Sequence, residues 1–323
     1  MLSVVVANYN KAPFIGQTLA SLAGQTMVRE IIVVDDASTD DSIAVIRQAA
    51  ERDSRIRVVE LLENKGQSHA ENQGLARASG KYVVFLDSDD LLKPDCCERR
   101  VQTAEAHPDA DGWVFPMNTF DGDPERPTSA WIPRQTDHLR RVLAHCLDWQ
   151  LTQVTWRRDF LLRIGGFDES FVRLTDVSLH TRALLAGARL MCFPDFPPDV
   201  LYRITPDRYS WSARSLADRH VAGSIHYIDT YRTAVPRQLE RLLAGTALAA
   251  LHRIIHFWRS GRLPKQDLER LAGLLIASCR HAGQRMILQN YLRLNVLSPV
   301  HVRGLTWATR RLLRLPEPSR NQL

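Results

Sequence analysis

Four short apolar runs, Leu2–Ala7, Glu30–Val34, Ile56–Leu62 and Tyr82–Leu86, alternate with helical stretches. That alternation is what most limits the folds open to this chain. The first intervening stretch, Phe14–Ala23, sets Phe14, Ile15, Leu19 and Leu22 on one side. The second covers roughly Asp41–Arg52, with Ser38 or Thr39 placed to cap it. The third, Gln67–Arg77, follows the turn signal Asn64-Lys65-Gly66 and closes at Ser79-Gly80. Runs without polar interruption belong to strands buried on both faces, and short connections through helices make neighbouring strands parallel. The expectation is an α/β sheet covered by helices on both sides. In such a sheet, ligands bind beyond the carboxyl ends of the strands.

Those ends are polar here. The first run leads into Asn8, Tyr9 and Asn10, the second into Asp35 and Asp36, and the fourth into Asp87, Asp89 and Asp90. Carboxylates crowded at the end of a buried strand need something to offset their repulsion. A hard divalent cation that also carries phosphate oxygens answers that need. The plain alternative is a solvated acidic turn that caps the next helix.

Beyond Pro94 the pattern predicts a helix to about His107, a strand at Trp113–Met117 and a polar, Pro/Gly-rich loop over Asp121–Pro133. Helices follow at Leu139–Leu147, Arg158–Ile164 and Thr175–Leu185, with strands at Leu151–Thr155, Arg189–Phe193 and Val200–Ile204. From about Ser212 helical patterns take over: Ser215–Tyr231, Arg237–Arg259, Lys265–His281, Gln284–Leu292 and Val300–Leu313.

Composition narrows the function classes. The net charge is +6. Lysine is confined to Lys11, Lys65, Lys81, Lys93 and Lys265, so the basic side is arginine, which suits phosphates, carboxylates and anionic lipid. No nucleic-acid reader motif accompanies it. Cys96, Cys97, Cys146, Cys192 and Cys279 form neither a disulfide framework nor a zinc pattern, which points to a reducing, cytoplasmic compartment. The opening MLSVVVANYN lacks a basic flank and reads as a strand rather than a signal. No segment approaches the ~18 apolar residues of a membrane span.

The motifs SVVVANYNKAPFIGQTLASLAGQT, IIVVDDASTDDS, NKGQSHAENQGLARASGKYVVFLDSDD and GGFDESF with Thr175-Asp176 stand in order. Together they resemble the family 2 inverting, nucleotide-sugar-dependent glycosyltransferases of the GT-A fold, over roughly residues 1–205. The resemblance implies a GT-A domain over 1–211, its nucleotide-sugar half at about 1–117 and acceptor half at about 118–211, followed by an α-helical region over 212–323. It also implies a Rossmann-like, mostly parallel central sheet with flanking helices.

The implied activity is transfer of a sugar from a nucleotide-sugar donor, a UDP-sugar, to a glycan or lipid-linked acceptor in surface polysaccharide synthesis. Asp176 is then the base. Asp89 and Asp87 hold Mn²⁺ or Mg²⁺, with Asp87 also facing the ribose. Ala7, Tyr9, Asn10, Asp36 and Lys65 bind the donor nucleotide, Asp36 accepting the imide N–H of a uracil-like base, and Gly66 lies beside Lys65. Asp168 and Glu169 hold the acceptor, and Asp90 stands outside the metal's own ligands. The family pattern has Arg where this chain has Glu71, Glu-Asp where it has Thr175-Asp176, and His where it has Thr205 after Tyr202-Arg203-Ile204. A scaffold with a lapsed site and a nucleotidyltransferase are the alternatives, the latter lacking its Gly-rich phosphate loop here.

Several residues keep two readings. Tyr9 fits a pocket or a core, Lys65-Gly66 a phosphate contact or a plain turn, and His180 pocket lining or packing. Arg303, Arg310, Arg311 and Arg314 lie among Leu305, Trp307, Leu312, Leu313 and Leu315. They fit a peripheral helix on anionic lipid at the inner membrane face, a helix packed on its own domain, or an oligomer contact. The oligomeric state is not legible.

Overall fold

The computed structural model describes residues 1–204, 212–297 and 304–317. Its strands are β1 Leu2–Asn8, β2 Val28–Asp35, β3 Ile56–Glu60, β4 Tyr82–Asp87, β5 Leu91–Leu92, β6 Gly112–Val114, β7 Met117–Phe120, β8 Ser129–Trp131, β9 Val154–Arg157, β10 Leu190–Cys192 and β11 Val200–Arg203. The first helices are α1 Ala12–Ala23, α2 Ser42–Arg52, α3 Gln67–Arg77, α4 Cys96–Ala106, α5 His138–Leu143, α6 Arg158–Arg163 and α7 Thr175–Leu185. Then come α8 Ala213–Ala234, α9 Arg237–Glu240, α10 Ala244–Arg259, α11 Lys265–Ser278, α12 Ala282–Leu297 and α13 Leu305–Leu312.

The chain divides into two compact units. The first holds Met1–Thr136, Asp148–Ser170 and Arg182–Pro206; the second holds Asp137–Leu147, Phe171–Thr181 and Asp207–Leu323. Neither unit is one continuous stretch, and the chain passes between them more than once.

The first unit carries both sheets. The larger runs β10-β6-β9-β4-β1-β2-β3. It is parallel except where β9 pairs antiparallel with β4 and β6. Its centre is apolar on both faces, as the uninterrupted runs require. Val4, Val5 and Val6, Ile31 to Val34, and Val83 to Leu86 are all buried. The α/β, GT-A-like expectation is borne out.

The smaller sheet, β5-β11-β7-β8, differs from expectation. The expected Trp113–Met117 strand is two, β6 and β7, in different sheets. Part of the Asp121–Pro133 loop is β8, paired antiparallel with β7. Ser38 and Thr39 do not cap α2. Asp40 instead accepts from the Ser42 N–H, and Ser38 is engaged at the sheet edge described below.

Arg100 on α4 anchors this unit. It is fully buried, donates two hydrogen bonds to Asp199 at 2.8 and 2.7 Å and a third to the Thr152 carbonyl at 2.8 Å. Asp199 raises the guanidinium pKa against the opposing effect of burial. Removing one partner strands the other charge without solvent. Arg100→Ala is therefore expected to lower unfolding free energy by about 3–5 kcal/mol, read as a lower urea midpoint at unchanged slope.

The second unit is helical throughout its described residues, as expected from Ser212 onward. The stretch Arg237–Arg259 is not one helix. It breaks into α9, a 3₁₀ turn at Arg241–Leu243, and α10. Of the expected Val300–Leu313 helix, Leu305–Leu312 is helical and 300–303 lie outside the described residues. Arg310 is buried and donates to the carbonyls of Ala144 and Pro316. Arg310 therefore packs within its own unit. Among the described residues, no helix is long and apolar enough to cross a membrane.

Candidate active site at the strand ends of the first unit

Sheet register brings the polar ends together. Ala7 is paired with Val34 on one side and Asp87 on the other, and Asn8 is paired with Asp35. The acidic ends of β2 and β4 thus flank the end of β1, although they lie far apart in sequence.

The two carboxylates after β2 do different work. Asp35 is buried and accepts from Asn8 Nδ2 at 2.7 Å, the Ser38 N–H at 2.9 Å and Ser38 Oγ at 2.7 Å. The Ser38 hydroxyl also accepts from the Asn10 N–H, and Asn10 Oδ1 accepts from the Thr39 N–H. Asp35 is therefore the structural member of the pair. Asp36 accepts the N–H groups of Lys65 at 2.9 Å and Gly66 at 2.8 Å. Each oxygen keeps a second lone pair. Gly66 has φ +92°, a conformation open mainly to glycine, so the turn before α3 depends on both residues. Lys65 itself turns its ammonium to Glu63 at 3.0 Å on the surface.

Asn8 Oδ1 is buried and has no hydrogen-bond partner among the described residues, while its amide nitrogen is committed to Asp35 and Ser38. Such an acceptor at a crevice edge fits a ligand donor. Tyr9 is 46% exposed, which removes the core reading. Asn10 is exposed and adopts φ +51°.

Asp89 is the most distinctive group. Its side chain is only 3% exposed, and Lys11 Nζ lies 2.6 Å from its Oδ2. Lys11 follows β1 and is one of two residues here that sequence reasoning missed. Nothing local marks it, since its partner lies across the sheet. Arg203, at the end of β11, was missed too. It donates through Nε to the Asp89 carbonyl at 2.8 Å, through its backbone N–H to Asp90 Oδ1 at 2.9 Å, and to Gln17 at 2.8 Å. The guanidinium lies over Phe14 and Phe120 at 5.0 and 4.6 Å. Burial lowers its pKa, opposed by Asp89 and Asp90. Asp90 thus braces Arg203. Gln67 Nε2 approaches Asp87 at 3.4 Å.

The residues present fit a divalent cation. Asp87 and Asp89 are hard oxygen donors one residue apart, and a cationic ammonium already stands on Asp89. Among the described residues, no cluster of three or more His, Cys, Asp or Glu could hold a metal alone.

The Gly165-Gly166-Phe167 loop is fastened to α3. Asn72 Oδ1 accepts the Phe167 N–H at 2.8 Å, and Asn72 Nδ2 donates to the Phe167 carbonyl at 3.0 Å. Gly166 has φ +61°, and a Cβ there would lie 2.4 Å from Asn72 Oδ1. Glu169 accepts from Asn72 at 2.7 Å and meets His69 Nδ1 at 2.8 Å, contacts that hold its pKa below the ordinary carboxylate value. Asp168 accepts from the N–H and hydroxyl of Ser170, shaping its own turn. Both expected acceptor residues therefore have structural partners. Asp176 is half-buried in the first turn of α7, in the second unit. His180 is fully buried, which makes it a packing residue.

A mixed sheet with acidic strand ends, a lysine-paired aspartate and a glycine loop braced on α3 defines an α/β protein with a polar crevice at its strand ends. Residues 3–160 match the family described as Glycosyl transferase family 2. The putative teichuronic acid biosynthesis glycosyltransferase TuaG of Bacillus subtilis is 42% identical over 103 residues, 32% of this chain and 41% of TuaG. S. aureus TarS 1-349, solved with UDP-GlcNAc, shares the fold with TM-score 0.65 at 19% identity, over 97% of this chain and 90% of that one. The mannosyltransferase PcManGT of Pyrobaculum calidifontis, solved with GDP-Man and Mn²⁺, gives TM-score 0.57 at 22% identity, over 97% and 85%. The chain spans 41%, 30% and 54% of three curated relatives it matches.

Proposed function

We propose that this chain is an inverting glycosyltransferase. It moves a sugar from a nucleotide-sugar donor, a UDP-sugar, to a glycan or lipid-linked acceptor in surface polysaccharide synthesis. The observation that carries the reading is the buried Asp89 with a cation on it, at one sheet edge with Asp87, Asp36 and the unsatisfied Asn8 Oδ1. The UDP-GlcNAc solved with TarS, the GDP-Man and Mn²⁺ solved with PcManGT, and TuaG's naming as a putative teichuronic acid biosynthesis glycosyltransferase support the donor class, the metal and the polymer setting.

In this reading Asp36 and Asn8 accept N–H donors of the base, with Ala7, Tyr9, Asn10 and Lys65 around base and ribose. Asp87 and Asp89 hold Mn²⁺ or Mg²⁺ together with the donor diphosphate. The bound ion would neutralise charge that develops on the departing diphosphate. Lys11 leaves Asp89 for the phosphate oxygens when the site fills. Asp176, assigned from the resemblance, takes the acceptor hydroxyl proton as the new C–O bond forms and the sugar–phosphate bond breaks. Asp168 and Glu169 set the loop that meets the acceptor. The exposed Trp307 and Leu312, with Arg311 stacked over Trp307 at 4.6 Å, supply a face suited to anionic lipid.

The test is a donor screen with Mn²⁺ or Mg²⁺, reading release of nucleoside diphosphate, repeated with EDTA and with Asp176→Asn. A UDP-sugar turned over only with metal, and slowed about a hundredfold or more by Asp176→Asn, is the expected result. Pyrophosphate release from a nucleoside triphosphate would mark a nucleotidyltransferase instead. Metal-dependent binding of donors with no turnover of any would mark a scaffold.

A further inference from the structure

The side that α13 turns outward is half of a larger surface, and α12 supplies the other half. Met286, Arg293, Leu294 and Leu297 are exposed, and the helical period sets them on one side of α12. Leu288, Tyr291 and Asn295 are buried on the opposite side. On α13, Trp307, Arg311 and Leu312 are exposed, as is Arg314 just beyond its end, while Thr309, Arg310 and Leu313 are buried. The inward sides of both helices meet at α10, where the Tyr291 hydroxyl lies 2.7 Å from His252 Nδ1 and 3.0 Å from Thr306 Oγ1. The two outward sides therefore turn away from α10.

An amphipathic surface helix hides its apolar side and shows its polar one. Here large apolar groups stand on the outer side as well. Leu297 is 80% exposed and Leu312 68%, and Met286, Leu294 and Trp307 are exposed with them. Single exposed leucines mean little, whereas five large apolar side chains on two helices packed together mark a contact surface. Its charge has one sign. Between Glu269 and Glu317 the chain has no Asp or Glu and eight arginines. Arg293, Arg311 and Arg314 stand among the exposed apolar groups, with Arg311 over the Trp307 ring. Carboxylates of the helical unit pair within α8 and α11 instead, Asp218 with Arg270, Asp229 with Arg232 and Asp267 with Arg214.

We propose that the outward sides of α12 and α13 together form a docking surface for an anionic lipid bilayer. Leucine and methionine enter the acyl boundary and Trp307 sits at the headgroup level. The arginine stems lie along the apolar groups while their heads reach lipid phosphates. A soluble anion would answer the arginines and leave the apolar groups in water. A second copy of the same surface would set arginine against arginine. The surface holds the chain where a lipid-linked acceptor lies. That tie to the acceptor rests on the glycosyltransferase reading; the lipid surface itself does not.

The full-length chain is sedimented with phosphatidylcholine vesicles, with and without phosphatidylglycerol, beside Arg293→Gln/Leu297→Ser and the control Arg126→Gln, an exposed arginine of the first unit. Wild type and control should bind the anionic vesicles alike, and pure phosphatidylcholine far more weakly. The double variant should bind the anionic vesicles about tenfold or more weakly, the lost arginine being about fivefold and the lost leucine adding to it. Tryptophan emission should shift to the blue on anionic vesicles, a shift that Trp307→Phe reduces. Equal binding by wild type and double variant, or no binding to anionic vesicles, overturns the surface and leaves the donor chemistry untouched. Concentration-dependent dimerisation without lipid that Leu297→Ser abolishes also overturns it and assigns the face to a second copy. Vesicle binding through α12 in a chain that turns over no sugar donor keeps the surface and overturns the tie to the acceptor.

Discussion

Asp89→Ala should lower turnover of the sugar donor by about a thousandfold or more, while the chain stays folded. The size follows from the charge at stake. A cation that neutralises a departing diphosphate is worth several kcal/mol at the transition state, and each 1.36 kcal/mol is tenfold in rate. Asp89 is the carboxylate that a cation already contacts, and it is nearly fully buried, so no neighbour can replace it from solvent. Folding should suffer little. Lys11, 22% exposed, can turn its freed ammonium to water, so the cost is about 1 kcal/mol. Lys11→Met should act in the opposite direction on the metal. It removes the competing ammonium, so Mn²⁺ binding without nucleotide should strengthen several-fold, read by electron paramagnetic resonance. Unchanged turnover in purified, folded Asp89→Ala would end the metal account.

The second large effect is acid loss of the helical unit. His145, His180 and His220 all belong to it, and burial lowers them to about 4, 3 and 2. Because each folded-state pKa lies below the unfolded value near 6.5, the unfolded chain binds more protons between those limits. Stability is therefore full above about pH 6.5 and falls as the pH drops through that value, by up to about 1.4 kcal/mol per pH unit for each histidine. Three together give about 4 kcal/mol per pH unit. The first unit responds later. Its buried Glu30, lowered to about 2 by bonds from Ser79, Ser3 and Arg57 against the effect of burial, contributes stability above 4.5 that is lost only below it. Hydrogen exchange from pH 7 to 5.5, corrected for intrinsic rate, should accelerate in α8 and α10 and not in β1 and β4. His180→Gln should flatten the slope by one histidine's share. Uniform acceleration across both units would contradict the assignment.

The parts of the fold legible in sequence are those with a strong local period. The ranges Gln67–Arg77 and Thr175–Leu185 coincide with α3 and α7, and the four apolar runs with β1 to β4 to within a few residues. Strands of two or three residues, such as β5 and β8, have no period to read, so the second sheet was hidden. No local period marks the α9–α10 break either, and a close tertiary approach follows it in α10. Gly245 packs against Ala144, where a Cβ would come within 2.2 Å of its carbonyl oxygen. At the site, the aspartates were legible as residues, and the division of labour among them was not. That Asp35 builds a turn, Asp36 clamps Lys65 and Gly66, and Glu169 ties its loop to His69 and Asn72 follows from partners far away in sequence. Lys11 and Arg203 stayed hidden for the same reason.

The central claim is that Asp89 helps hold a divalent ion on a nucleotide diphosphate at these strand ends. Water-proton relaxation of Mn²⁺ with UDP, in wild type and Asp89→Asn, tests it most directly. The account predicts an enhanced ternary signal in the wild type that collapses in Asp89→Asn at equal protein stability. The same signal in both chains, or none in either, would contradict it.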